Sequence, residues 1–148
     1  MSTPVIRYIP EDPGYVASPA AIEIARAMLE QALGAPTIAT VTDAPTFVDP
    51  GQNLDIIRCP ACGEEVDLGW WQERMAKSGE GGFAHLEVAM PCCGAQTTLH
   101  DLDYDRPAGF ARLVLEVQGP QAEPDEAVDE AALERVLGCV VRRVEARY

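Results

Sequence analysis

Hydrophobic and polar positions recur with readable periods over most of the chain. Val5, Ile6, Tyr8 and Ile9 surround Arg7 in a short strand, closed by Pro10 and the turn-rich Asp12-Pro13-Gly14. Ile22, Ala25, Leu29, Ala32 and Leu33 then fall on one face of a helix. Ser18 supplies its N-cap, Pro19 its first position, and Gly34 with Pro36 its stop. Thr37 to Thr42 is β-branched at alternate positions and predicts a second strand, which Thr46-Phe47-Val48 continues beyond a kink at Pro45. The order to this point is βαβ.

The last forty residues repeat it. Ala111, Leu113, Leu115 and Val117 alternate with Arg112, Val114 and Glu116, as in a strand with one buried face, and Gly119-Pro120 ends the run. Helix signals start at Asp125 or Asp129 and reach Leu137, with Gly138 as the stop and Val140 to Tyr148 as a final strand. Leu133, Val136, Leu137, Val140, Val141, Val144 and Tyr148 also fit one long helix with Gly138 inside it, at a cost of about 1 kcal/mol. Helix followed by strand is the preferred reading. The expected fold class is α+β: a single domain, a ferredoxin-like two-layer sandwich whose halves are residues 1–55 and 107–148. Residues 56–106 would be an insertion. Such a sandwich serves so many purposes that the chemistry must come from the insertion.

Within the insertion, Gly69 to Lys77, with Trp70 and Trp71 near its start, predicts a short helix. The flexible Gly79-Glu80-Gly81-Gly82 and a strand from Phe83 to Ala89 follow, and His85 and His100 are expected on strands.

Composition narrows the classes of function. The 148 residues are 47% apolar and 24% charged, enough to bury a core. The N-terminal residues 1–5 lack a basic start and apolar stretch, and the longest apolar run, Val136 to Val141, is far below the ~18 residues of a membrane span. A cytoplasmic protein is expected. The net charge of −13 opposes contact with phosphate backbones. Five cysteines are an odd number, and four of them fall in two short motifs, which favours metal over disulfides.

Cys59-Pro60-Ala61-Cys62-Gly63 carries that chemistry. Two thiolates three positions apart on a tight turn reach one Zn²⁺, Pro60 restricts the turn, and Gly63 lets backbone N–H groups point at sulfur. The motif resembles the CPxCG knuckle of the zinc-ribbon family, in which two such turns hold one structural zinc. Met90-Pro91-Cys92-Cys93-Gly94 resembles a second, altered knuckle, with Met90 where Cys59 stands and Cys93 where Cys62 stands. The resemblance covers roughly Ile56 to Leu102 and implies three ligands, Cys59, Cys62 and Cys93. Cys92 is the first candidate for the fourth, then His100, then His85. Cys139, next to Gly138 and apolar valines, is assigned to the core.

Other chemistry fails on spacing. His85-Leu86-Glu87 precedes Pro91 by too few residues for the deaminase signature, and no second C-x-x-C follows. Asp101, Asp103 and Asp105 begin like a calcium loop, but Arg106 stands where Gly is needed and Arg112 where Glu is needed. Neither a serine triad nor a phosphate loop can be assembled. From Arg58 to Arg106 there are four basic and nine acidic residues, so a nucleic-acid role is disfavoured despite Arg142, Arg143 and Arg147 near the C-terminal end.

The expectation is a small, acidic, non-enzymatic protein-interaction module with one structural zinc and a basic protein partner, of which a bacterial immunity or inhibitor protein is the most concrete version. Glu64, Glu65, Asp67, Asp101, Asp103 and Asp105 would steer that partner. Trp70 or Trp71 would anchor it, unless both pack between insertion and sandwich. The rival is a zinc enzyme or a metal- or thiol-responsive regulator with an open zinc site; a nucleic-acid-associated ribbon is the further alternative.

Overall fold

The computed structural model describes residues 4–51 and 54–147. In chain order its elements are β1 (Pro4–Pro10), α1 (Pro19–Leu33), β2 (Thr37–Val48), β3 (Ile57–Arg58), α2 (Leu68–Glu80), β4 (Glu87–Ala89), β5 (Gln96–Thr98), β6 (Asp103–Tyr104), β7 (Gly109–Gln118), α3 (Pro124–Ala127), α4 (Glu130–Leu137) and β8 (Val141–Arg147). The fold is mixed α+β. Four long strands make one sheet in the order β2-β7-β1-β8, with every neighbouring pair antiparallel. The short strands form two separate pairs, β3 with β6 and β4 with β5.

Local chemistry explains the long elements. The Oγ of Ser18 accepts the N–H of Ala21 at the start of α1, and Gly34 ends the helix at φ 63°. Ala25, Leu29 and Leu33 are the buried stripe of α1, set against Leu113, Leu115 and Val117 of β7 and Leu133 and Leu137 of α4. On β2 the register shifts between Val41 and Thr46, at the kink expected near Pro45. The C-terminal ambiguity resolves as helix and strand. Asp129 caps α4, Gly138 closes it at φ 78°, and the Tyr15 hydroxyl donates to the carbonyl of Leu137 in the last turn at 2.6 Å. The chain then re-enters the sheet as β8, paired with β1 from Val141 to Arg147. Tyr148 lies outside the described residues.

The segment between β2 and β7, expected as an insertion, departs from expectation in its second half. Asp67 caps α2, which runs through Gly79 and Glu80 instead of stopping before them. Gly82 and Phe83 then take φ of 68° and 60°, and the N–H of Phe83 donates back to the carbonyl of Ser78. That turn brings the Phe83 ring to 5.2 Å from Phe110. Phe83 therefore serves as a helix-terminal plug, and the strand expected from it begins only at Glu87. Neither His85 nor His100 lies on a strand.

The insertion has its own core, built from Ile57, Val66, Trp71, Val88, Met90, Leu99, Leu102 and Tyr104 with Phe110 of β7. Phe47 of β2 joins it, with ring centroids 5.8 Å from Trp71 and 5.2 Å from Phe110. Such pairs contribute about 0.5–1.5 kcal/mol each beyond the area they bury. Aromatic packing thus holds the insertion to the end of the sheet formed by β2 and β7.

Candidate metal centre

Two matching turns form the centre. In the first, the N–H of Gly63 donates to the carbonyl of Cys59 at 2.9 Å and the N–H of Cys59 to that of Glu64 at 2.8 Å. In the second, Gly94 donates to Met90 at 2.8 Å and Met90 to Ala95 at 2.9 Å. Gly63 and Gly94 take φ of 79° and 73°, a region closed to most side chains, although nothing stands within 4 Å of where a Cβ would sit. Backbone conformation, not space, requires glycine at both positions. Each turn closes a small hairpin: Val66 donates to Ile57 across the first, and β4 pairs with β5 across the second.

Equivalent backbones put Met90 in the place of Cys59, and both side chains point into the insertion's core, exposed by 2% and 1%. The turn positions at which Ala61 and Cys62 stand are held by Cys92 and Cys93 in the second. The four sulfurs of Cys59, Cys62, Cys92 and Cys93 all lie within 4.8 Å of one another. Across the turns Cys59 stands 3.8 Å from Cys93 and Cys62 3.3 Å from Cys92. A tetrahedral zinc with bonds near 2.3 Å sets its sulfurs about 3.8 Å apart. The cluster has the size and chemistry to hold a metal ion such as zinc.

Electrostatics point the same way. The N–H of Cys62, with that of Ala61, holds the Cys59 thiol down to about 7. The neighbouring Cys62 sulfur pushes Cys92 up to about 12. Cys93 is lowered by the N–H of Ala95, yet burial and the thiols of Cys59 and Cys62 leave it above its ordinary value. Four thiolates so close repel one another, and a divalent cation at their centre reverses that balance.

The histidines stand outside this group. His100 is 2% exposed, and both of its ring nitrogens are engaged elsewhere: Nε2 donates to the carbonyl of Glu11 at 2.6 Å and Nδ1 accepts the N–H of Phe110 at 2.9 Å. It is therefore no fourth ligand. His85 is exposed, and its carbonyl accepts the hydroxyl of Ser78. Cys139 packs half-buried against the sheet's core.

Trp71 is buried, its indole N–H donating to the Tyr104 hydroxyl at 3.2 Å, so it packs between insertion and sheet and is not an exposed anchor. Trp70 is half-buried. Glu64, Glu65, Asp67, Asp101, Asp103 and Asp105 are all exposed. Asp67 also caps α2, and Asp101 accepts the hydroxyl of Thr98 at 2.8 Å.

Sequence reading missed the joint between insertion and sheet. Arg142 of β8 makes a two-pronged ion pair with Glu11 at 2.7 and 3.0 Å. Its Nη1 donates to the carbonyls of His100 and Ala108. These partners are up to 131 positions apart, and no local pattern announces them. Among the described residues no helix is long and apolar enough to cross a membrane. Comparison of the chain with protein-family models, with curated proteins and with solved structures gives no match.

Proposed function

We propose that this chain is a zinc-stabilised, acidic, non-enzymatic binding module for a protein with a basic surface. The observation that carries the zinc is the set of four sulfurs within 4.8 Å at the tips of two backbone-equivalent turns. Four thiolates fill a tetrahedron and leave no position for substrate, which supports a structural over a catalytic role. With strands of only two or three residues, the insertion has few backbone pairs of its own and gains most from a metal staple.

The strand order, with helices between the first and second and the third and fourth long strands, supports reading the frame as a ferredoxin-like sandwich with a zinc-ribbon-like insertion. Exposure of Glu64, Glu65, Asp67, Asp101, Asp103 and Asp105 supports electrostatic steering of a cationic partner. Ion pairing of Arg142 with Glu11, and of Arg143 with Asp125 and Glu130, weakens the basic patch a nucleic-acid role would use. An inhibitor or immunity protein is the version of this module with a basic enzyme as its target.

Metal analysis of reduced protein is expected to give one zinc per chain, with Cys62→Ser lowering occupancy and Tm together. Nuclease-treated pull-downs at low and moderate salt should retain a basic protein, less of it at the higher salt. Absence of zinc, or full occupancy in Cys62→Ser, sinks the metal reading. A zinc-loaded chain that retains no basic protein sinks the binding role.

A further inference from the structure

We infer that the centre is peroxide-sensitive, and that Cys62 and Cys92 form its first disulfide as the zinc leaves. This regulation rests on zinc occupying the four sulfurs as proposed above. The sulfurs are unequal in access: Cys59 is 1% exposed, whereas Cys62, Cys92 and Cys93 are exposed. Among the exposed three, Cys62 and Cys92 are in direct contact across the two turns, at 3.3 Å.

Geometry disfavours two of the other pairings. Cys92 and Cys93 are adjacent, and neighbouring Cα atoms lie about 3.8 Å apart, less than the roughly 4.4–6.8 Å that disulfides span. Cys59 pairs with Cys93 only through its shielded sulfur, at 3.8 Å. A bond between Cys62 and Cys92 joins the two turns that the metal joined, so a covalent staple replaces an ionic one and the insertion stays folded.

The chemistry balances with hydrogen peroxide as the two-electron oxidant. One of the two thiolates attacks a peroxide oxygen, the O–O bond breaks, and hydroxide leaves a sulfenic acid on sulfur. The second thiolate attacks that sulfur, the S–S bond forms, and a second hydroxide leaves. Zinc, reduced to two thiolate ligands, is released. Thiol reductant reverses the step and restores the four-sulfur site.

The test uses the full chain, zinc-loaded and with its metal content measured first, beside the Cys139→Ser variant. Both are treated with hydrogen peroxide while a chromophoric chelator reports zinc, and disulfides are mapped on unreduced peptides. The expected result is one zinc released per peroxide consumed, a Cys62–Cys92 link as the first disulfide, retained near-ultraviolet dichroism from Trp71, and recovery with dithiothreitol and zinc. Zinc that stays bound through peroxide, or a first link between Cys59 and Cys62, overturns the switch and leaves the zinc reading standing. Absence of zinc before peroxide is added overturns both.

Discussion

Gly109, the first residue of β7, shows how closely single residues are held where sheet and insertion meet. A Cβ there would come 2.8 Å from both Nη1 of Arg142 and Cε1 of His100, and 2.9 Å from Nδ1 of His100. Neither neighbour is free to yield. His100 is bound through both nitrogens, and the Arg142 guanidinium is fixed by Glu11 and by the carbonyls of His100 and Ala108. Gly109→Ala should therefore destabilise by about 1–3 kcal/mol, the usual cost of overpacking a fixed site. Gly14→Ala is the control. Only the Asp12 carboxylate, at 3.6 Å, would meet its Cβ, and its cost should stay within about 0.5 kcal/mol. Thermal or urea denaturation of the two variants checks the difference, and equal midpoints would mean that the joint is soft.

At the scale of elements, the two turns invite an exchange of ligands. Cys92→Ala removes one of the four sulfurs and should lower zinc affinity. Met90 stands on backbone equivalent to that of Cys59 and points inward as Cys59 does. Adding Met90→Cys to Cys92→Ala should therefore recover zinc binding, measured by competition with a chelator of known affinity. Failure of the double variant to bind better than the single would show that backbone equivalence does not carry over to the sulfur. These turns also mark what was legible in sequence. The first was plain because its Pro60, Gly63 and two cysteines are local; Cys92 was the first candidate for the fourth ligand in sequence, and the fold brings it to Cys62, 30 positions away, in place of His100 or His85. Likewise α1 and β7 were readable because caps and periods of 3.6 and 2 are local signals. Residues 83–89 misled because an alternating run after two glycines resembles a strand, while the end of α2 wraps Phe83 onto Phe110. His100 looked like a ligand for want of any local sign of its bonds to Glu11 and Phe110.

The described residues bury two large cores, one between sheet and helices and one inside the insertion, and a small third one of Ile9, Val48, Ala111 and Val144; Glu11, His100 and Arg142 join insertion to sheet. This junction gives stability a definite acid limb. Burial, with the nearby Arg142, holds His100 below its ordinary value of 6.5. Hydrogen bonding to Arg142 holds Glu11 below its ordinary 4.5. In each case the folded state takes up a proton less readily than the unfolded one, so stability rises with pH across the interval between the two values. The His100 contribution is whole above pH 6.5 and is lost as pH falls below it; the Glu11 contribution follows below 4.5. Protonating His100 forces a proton onto Nδ1, which accepts the N–H of Phe110. Acidification also relieves the self-repulsion of a chain carrying −13, but most carboxylates remain ionised until pH approaches the sequence pI of 4.4. Just below pH 6.5, then, the histidine titrates while that relief has barely begun. Nitrogen-edited NMR of zinc-loaded protein should show His100 as the Nε2–H tautomer with a midpoint below 6.5, and urea midpoints should decline over the same interval. A midpoint at or above 6.5 would remove His100 as the source of acid sensitivity and leave any decline to protonation of the metal-binding thiolates, which zinc analysis at each pH would detect as released metal.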